Sequence, residues 1–467
     1  MNIPDIVRNS VQLNRATRWT YDSREANKRR RFLKLLKHVM EHSPFYRRHY
    51  AAHGIHPRHV DFLSLQDLPP VDKQLLRENF DDAVCDKRLK SADLSAFILD
   101  PAQRDRLYLD RYTVIHTSGT TGTPAIFVYG PKEINLLSAV MFSRVNKLLK
   151  QVRRTRLMLL TAIEGKYAGV AISDNAPRIL YKRHKCSVNL TSEQIAATAQ
   201  AFQPDVLGGY ASAIHLLALE QLSGAIHIRP KSIVCAGEAL TAIARQDMIR
   251  AFGIRPVNFY ASSESMAMAV ECRAEGRMHA FDDLHYFETV RDNMLPVETG
   301  KTGDLVLTNL YNYTLPLIRY KTSDKIAFDP EPCGCGNTLP VLKKIAGRAE
   351  EYLWFEKNSS QREFIHPITF AELFAPGLEK FRIVQKSPRQ ISVQAKAQNQ
   401  EEVTRILSQQ LDGILALKGL TRHVDYSFDF VEQITANTVS GKFDLIVPYQ
   451  AQAGLSWPSV PPESLHS

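Results

Sequence analysis

HTSGTTGTP, residues 116–124, is the stretch on which the reading of the chain turns. It follows the apolar-leaning run YTVIHT (112–117) and sets Thr117, Ser118, Thr120 and Thr121 around Gly119 and Gly122. Glycines without a Cβ let the backbone turn tightly and aim several N–H groups at one point, and short hydroxyls add donors without bulk. A strand running into such a loop suits the wrapping of a polyphosphate. It is not the Walker pattern, because no Gly-Lys-Ser/Thr follows.

Outward from that loop, short β-branched runs alternate with helical patterns between about 110 and 270. RLMLLTA (156–162), DVLGGY (205–210), SIVCAGEAL (232–240) and PVNFYASS (256–263) are the runs, and ASAIHLLALEQL (211–222) is one intervening helix. Alternation of this kind predicts a βαβ core with a largely parallel sheet. Residues 280–346 are richer in β patterns, as in GDLVLTNL (303–310) and LIRYKTSDKIAF (317–328). Residues 1–60 read as helices ending at SPFYRRHY, and DLPPVDKQLLRENF (67–80) as a proline-marked loop feeding a helix. After Gly347 the pattern becomes a smaller α+β one: FRIVQKSPRQISVQAKA, EEVTRILSQQLDGIL, VDYSFDFVEQI. The expected fold is α/β, with a large domain over 1–346 of mixed parallel sheets, helices and a β-rich section. A small mobile α+β domain is expected over 347–450, and a proline- and serine-rich tail, 451–467, is expected to be poorly ordered.

With 467 residues the chain is too long for one small core, and 44% hydrophobic against 23% charged residues is ordinary for a globular protein. No run reaches the ~18–20 apolar residues that span a bilayer, and MNIPDIVRNSVQLNR lacks a signal-peptide core, so a cytoplasmic location is expected. Six scattered cysteines fit a reducing compartment better than a disulfide scaffold. The formal charge of +10 is densest at Lys28–Arg31, Lys34 and Lys37. With Phe32, Leu35, Leu36 and Val39 on the opposite side, that run reads as a solvated helix face and not a nucleic-acid surface.

Further stretches follow in a fixed order: AGEAL (236–240), YASSE (260–264), TGDLVLT (302–308), PLIRYKTSD (316–324), GRAEE (347–351) and SGK (440–442). This series resembles the adenylate-forming acyl-ligase superfamily, and within it the phenylacetate–CoA ligase branch and its polysaccharide-cluster relatives. HSPFYRRHY, DLPPVDKQLLRENF and PDVLGGYASAIHLLA (204–218) carry the resemblance to the branch. It implies that a carboxylate attacks the α-phosphorus of ATP, releases pyrophosphate and leaves an acyl-adenylate.

By the same resemblance, the 117–122 loop holds the β- and γ-phosphates. Glu264 ligates Mg²⁺ and Ser263 donates to an α-phosphate oxygen, within an Ala261–Ser262–Ser263 segment that lines the nucleotide. Tyr260, Gly237 and Glu238 wall the adenine. Asp324 accepts both ribose hydroxyls, since one carboxylate takes two O–H donors, and Arg348 supports the ribose. Lys442 is the catalytic lysine that reaches the carboxylate and α-phosphate, Glu350 stands at the hinge position, and Tyr210 lines the acid's organic part.

Several positions depart from the branch: Thr123 and Ala125 at the end of the loop, Ala261 in place of glycine, Ser323 in place of glycine. Thioester-forming relatives continue after the hinge with a glycine-bearing loop, whereas this chain has no glycine from 348 to 376. The acceptor expected is CoA, with an amine, a carrier-protein thiol, or nothing beyond the adenylate (an adenylyltransferase) as the alternative. A catalytically idle homologue, docking through the basic 28–37 face, is disfavoured by the presence of Glu264, Asp324, Arg348 and Lys442.

ECRAEGRMH (271–279) and EPCGCGNTLP (331–340) supply Cys272, His279, Cys333 and Cys335. Three thiolates and one imidazole form a closed tetrahedral set for a structural zinc, provided the two halves meet.

Overall fold

Capping and spacing account for the helices that open the chain. In the computed structural model, which describes residues 2–117, 125–145, 153–346, 353–358, 361–371, 373–434 and 445–449, Asn2 caps α1 (Ile3–Ala16) by accepting from the Asp5 N–H. Thr20 caps α2 (Tyr21–His42) in the same way. Phe32, Leu35, Leu36 and Val39 recur at helical spacing along α2 and are fully buried. The α2 basic run is not a plain solvated face. Arg24 meets Asp282 at 2.9 Å, Lys28 meets Glu25 at 2.6 Å and Asp282 at 3.5 Å, and both cations are buried. Burial likewise lowers the pKa of the Arg31 guanidinium. Carboxylates some 250 residues away in sequence turn part of the run inward. Short helices α3 (Pro44–Ala51), α4 (Lys73–Glu78), α5 (Phe80–Ala83) and α6 (Ser91–Leu99) follow.

β1 (Thr113–His116) and β2 (Ile126–Tyr129) form an antiparallel pair whose last rung is His116↔Ile126. The glycine-threonine loop connects them, and its ends are pinned at Thr117 and Ala125. Thr117 N–H donates to the Ala125 carbonyl at 3.0 Å, and Ala125 N–H donates to Thr117 Oγ1 at 3.0 Å. After α7 (Pro131–Val140) comes the parallel core: β3 (Thr155–Thr161), α8 (Ala168–Asp174), β4 (Tyr181–Ser187), α9 (Ser192–Phe202), β5 (Val206–Gly209), α10 (Ala211–Leu222), β6 (Ser232–Ala236), α11 (Ala242–Phe252) and β7 (Val257–Tyr260). The β-rich section adds β8 (Ala269–Glu271), β9 (Met278–Ala280), β10 (His285–Val290), β11 (Gly303–Asn309), β12 (Tyr320–Asp329) and β13 (Val341–Ala346).

These strands make one eleven-stranded sheet in the order β10-β11-β12-β13-β9-β8-β7-β6-β5-β3-β4. From β7 to β4 every neighbour is parallel, and from β7 to β10 every neighbour is antiparallel. Alternate side chains separate cleanly in the parallel half. Met158, Leu160, Leu207, Ile233 and Cys235 pack with α9, α10 and α11 in one apolar core, while Leu157, Val206, Val234 and Phe259 face the other way.

The remaining residues form β14 (Leu353–Glu356), β15 (Arg362–Ile365), α12 (Pro367–Ala371), β16 (Leu378–Ser387), β17 (Gln390–Ala397), α13 (Gln400–Leu417), β18 (Asp425–Phe430) and β19 (Ile446–Val447). Val403, Leu407, Leu411 and Leu415, one face of α13, cover Ile383, Ile391, Val393 and Ala395 of a four-stranded sheet ordered β18-β17-β16-β19. Buried charge ties this unit to the large sheet. Lys418 Nζ donates to the Val188 and Leu190 carbonyls at 2.6 and 2.7 Å, and Glu363 accepts from Ser192 N–H and Oγ at 3.0 and 2.8 Å. Among the described residues no helix is long and apolar enough to cross a membrane.

Candidate active site and cysteine–histidine cluster

A cavity of about 730 Å³ opens over the carboxyl ends of the parallel strands, where ligands sit in open α/β sheets. Thr117, Tyr210, Gly237, Ala261, Ser262, Ser263, Glu264 and Asp324 all line it, although they are spread over more than 200 residues of sequence. Ser118, Gly119, Thr120, Thr121, Gly122, Arg348, Glu350 and Lys442 lie outside the described residues.

Each lining residue is held by its own element. The 261–264 turn leaves the end of β7 and closes with the Ser262 N–H on the Ser265 carbonyl at 3.0 Å. Tyr129 OH donates to the Ser263 carbonyl at 2.8 Å, so β2 braces the turn from beneath. Ser265, next to Glu264, donates its hydroxyl to His285 Nε2 at 2.8 Å, while His285 Nδ1 meets the Phe281 carbonyl at 2.9 Å. Burial depresses the His285 pKa to about 4, which keeps the ring neutral and able to accept. Asp324 is buried on β12 and accepts from Tyr260 OH at 2.5 Å.

Two expected adenine-wall residues are placed differently from Gly237. Tyr260 is buried behind the wall, with its hydroxyl directed at Asp324. Glu238 accepts from the Ser212 N–H at the start of α10 and from His366 Nε2 at 2.9 Å. Gly237 has φ +87°, and a Cβ there would lie 2.7 Å from the Tyr210 ring. Glycine at 237 therefore lets Tyr210 lie flat against the backbone.

Three residues in the cavity wall escaped sequence reading. Lys73 enters from the start of α4, because Val71 bridges in parallel to Tyr320 and brings the proline-marked loop against β12. Burial lowers its ammonium pKa, and the Glu264 carboxylate pulls it back up. His366, after β15, stacks on Tyr210 with ring centroids 4.1 Å apart and an interplanar angle of 17°. His116 packs on Tyr167, and burial lowers its pKa. A single lysine or histidine in a loop has no pattern to announce it. For Lys73 the only signal was the prolines that hold the loop.

The two cysteine motifs meet. Cys272 and His279 stand on the β8–β9 hairpin, and Cys333 and Cys335 stand in the β12–β13 connection. Pairing of β9 with β13, through His279↔Val341, closes the distance. All four donor atoms lie within 4.8 Å of one another. Cys272 Sγ is 3.7 Å from Cys333 Sγ, and Cys335 Sγ is 3.4 Å from His279 Nε2. A tetrahedral zinc with ordinary bond lengths separates two sulfurs by about 3.8 Å and a sulfur from a nitrogen by about 3.5 Å. His279 Nδ1 meets the Leu339 carbonyl at 3.0 Å, which leaves Nε2 turned to the thiols. Burial opposes the Cys272 thiolate, but backbone N–H groups at Glu275 and Arg277 and the neighbouring thiols outweigh it and lower its pKa.

A large mixed sheet with hydroxyl, acidic and aromatic side chains gathered at its carboxyl edge is an architecture found in adenylate-forming ligases. No family model matches the chain. It is 27% identical over 332 residues to the phenylacetate–coenzyme A ligase of Thermus thermophilus, covering 69% of this chain and 70% of that one. It is 25% identical over 345 residues to protein CapK of Staphylococcus aureus, covering 69% and 67%. A crystal structure of 2-hydroxyisobutyryl-CoA ligase matches with TM-score 0.63 at 19% identity, over 93% of this chain and 92% of that chain. By sequence the chain resembles the phenylacetate–CoA ligase branch of the adenylate-forming superfamily, and it shares the fold of a solved ligase of that superfamily.

Proposed function

We propose that the chain is an ATP-dependent acid–thiol ligase that activates a carboxylic acid as its adenylate and passes the acyl group to CoA. The observation that carries this reading is the convergence of Thr117, Ser263, Glu264 and Asp324 on one cavity, in the family's order of motifs. The acid's carboxylate oxygen attacks the α-phosphorus and pyrophosphate leaves; the CoA sulfur then attacks the acyl carbon and AMP leaves. Asp324 binds the ribose, while Thr117 and the 118–122 loop orient the phosphates for departure. Developing charge on the leaving phosphate is the part most in need of fixed donors and cations, and Lys442 is assigned to it, with Arg348 beside the ribose. Glu264 offers the hard oxygen that Mg²⁺ prefers, and the ion would supply charge neutralisation on the phosphates when bound.

On this reading residues 347–450 form the small domain that carries Lys442 to the site. The cysteine–histidine cluster is a closed structural zinc site: its distances fit the tetrahedron, and four protein ligands leave no open position for catalysis.

The test is a pyrophosphate-release screen over many acids, with and without CoA. Acid-dependent release with a thioester product that requires CoA is the expected result. Release of AMP indifferent to CoA would transfer the reading to an amine or carrier-protein thiol acceptor. The absence of glycine from 348 to 376 favours that second reading.

A further inference from the structure

The cavity continues from its nucleotide end along one face of the parallel sheet. Its floor is one face of the parallel sheet: Leu157 and Leu159 on β3, Gly208 on β5, Val234 on β6 and Phe259 on β7. The strand register sets these side chains in rows, with Leu157 opposite Val206, Leu159 opposite Gly208, and Gly208 opposite Val234. The roof is α8 and the turn after it, through Ile172, Ala176 and Pro177. Phe142 and Tyr181, stacked at 5.9 Å, close the far end with Leu157 and Val206.

The polar atoms along this trough are mostly engaged or neutral. Ser138 donates its hydroxyl to the Ile134 carbonyl, the Asn175 amide donates to the Ala171 carbonyl, and burial raises the Tyr181 hydroxyl pKa to about 12. Ser173 Oγ is buried with no partner among the described residues. Among the described residues, the charged ones lining the cavity come from its nucleotide end: Asp72 and Lys73 at the start of α4, Glu264 in the turn after β7, and Lys321 and Asp324 on β12.

From this geometry we infer that the acid carries an extended apolar group, about ten bonds long, laid along the sheet. The inference rests on the ligase reading, which places the carboxylate at the Thr117–Glu264 end. From Thr161 to Leu157 the trough spans four residues of β3, about 13 Å at ~3.3 Å per residue. An extended chain advances roughly 1.2 Å per bond, so about ten bonds fit. Phenylacetate reaches only about five bonds from its carboxyl carbon and would leave the Leu157–Val206 end unfilled. Gly208 widens the middle of the trough without being demanded by the fold. A Cβ there would meet nothing nearer than Leu159 Cδ1, at 3.5 Å, so the missing side chain leaves room for a ligand.

The experiment compares hexanoate, decanoate and phenylacetate, first by pyrophosphate release and separately by calorimetric binding to the full-length protein. Each buried methylene is worth about fourfold, so decanoate, with four more of them, should exceed hexanoate by about 250-fold in kcat/KM and in affinity. Gly208→Val narrows the trough without a backbone clash and should erase most of that ratio. Val206→Phe, which shortens the far end, should move the preferred acid to a shorter one. A wild type that prefers hexanoate or phenylacetate, or a ratio unmoved by Gly208→Val, overturns the inference and leaves the ligase reading standing. Tight decanoate binding weakened by Gly208→Val, with no release from any acid, keeps the trough and removes the ligase reading.

Discussion

Replacing Asp324 by asparagine tests the nucleotide assignment at a buried carboxylate. The side chain is 7% exposed and already accepts from Tyr260 OH at 2.5 Å, so asparagine preserves its volume while removing its charge. In the ribose role the carboxylate also accepts two hydroxyls. Hydrogen bonds to a charged partner contribute about 1.5–3 kcal/mol each, and an amide retains one accepting oxygen at neutral strength. A net loss of about 3 kcal/mol follows, or about 100-fold in kcat/KM for ATP.

Tyr260→Phe is the control, because it removes only a bond that orients the carboxylate. Its expected cost is about 0.5–1.5 kcal/mol, tenfold or less. Pyrophosphate exchange titrated with ATP, 2′-deoxyATP and 3′-deoxyATP separates contact from folding. The wild type should lose about tenfold or more with each deoxynucleotide, and Asp324→Asn should lose little further, since the partner is already gone. Deoxynucleotides that penalise Asp324→Asn as heavily as the wild type would refute the ribose contact. So would a Tyr260→Phe defect larger than that of Asp324→Asn.

Lys442→Ala should cut pyrophosphate exchange by about 10²–10³-fold, the scale for losing one charge-stabilising donor, and near-normal exchange would contradict its assignment. Lys73→Ala should raise the KM for ATP about tenfold by removing the cation that faces Glu264; an unchanged KM would make Lys73 a structural residue. Purified in reducing buffer, the protein should hold one zinc per chain, and Cys335→Ser should lose it and melt several degrees lower. Metal analysis without stoichiometric zinc would remove the site. The His285 pKa is about 4 in the folded protein against an ordinary 6.5, so its contribution is complete above pH 6.5 and lost as pH falls through 4. The stability gap between wild type and His285→Gln should therefore narrow by about 2–3 kcal/mol from pH 7 to 4.5 in urea unfolding. Parallel curves would show that His285 does not keep its proton off.

Sequence pattern is informative where a function needs backbone of a special shape, and weak where it needs two chain segments to approach. The turn after β7 was legible because it strings several constrained residues together, whereas the glycine-threonine loop, 118–124, lies outside the described residues. The α2 basic run is a solvated face only in part, because the partners of Lys28 and Arg31, Asp282 and Asp283, become neighbours only when β9 and β10 are in place. The two halves of the cysteine–histidine cluster could be named, yet their meeting depended on the β9–β13 pairing. Lys73 and His366 had no local signature, since each reaches the cavity only through a neighbouring contact: the Val71–Tyr320 bridge for one and stacking on Tyr210 for the other. The pair Gly208–Gly209 shows how far pattern alone can go. Gly209 has φ +126°, and any Cβ there would collide with the Leu160 carbonyl, so the fold demands glycine. Gly208 has no such constraint, and in sequence the two are indistinguishable. Only the register of β3, β5 and β6 shows that the second absent side chain opens space over Leu159 and Val234, where an acid's apolar chain would lie.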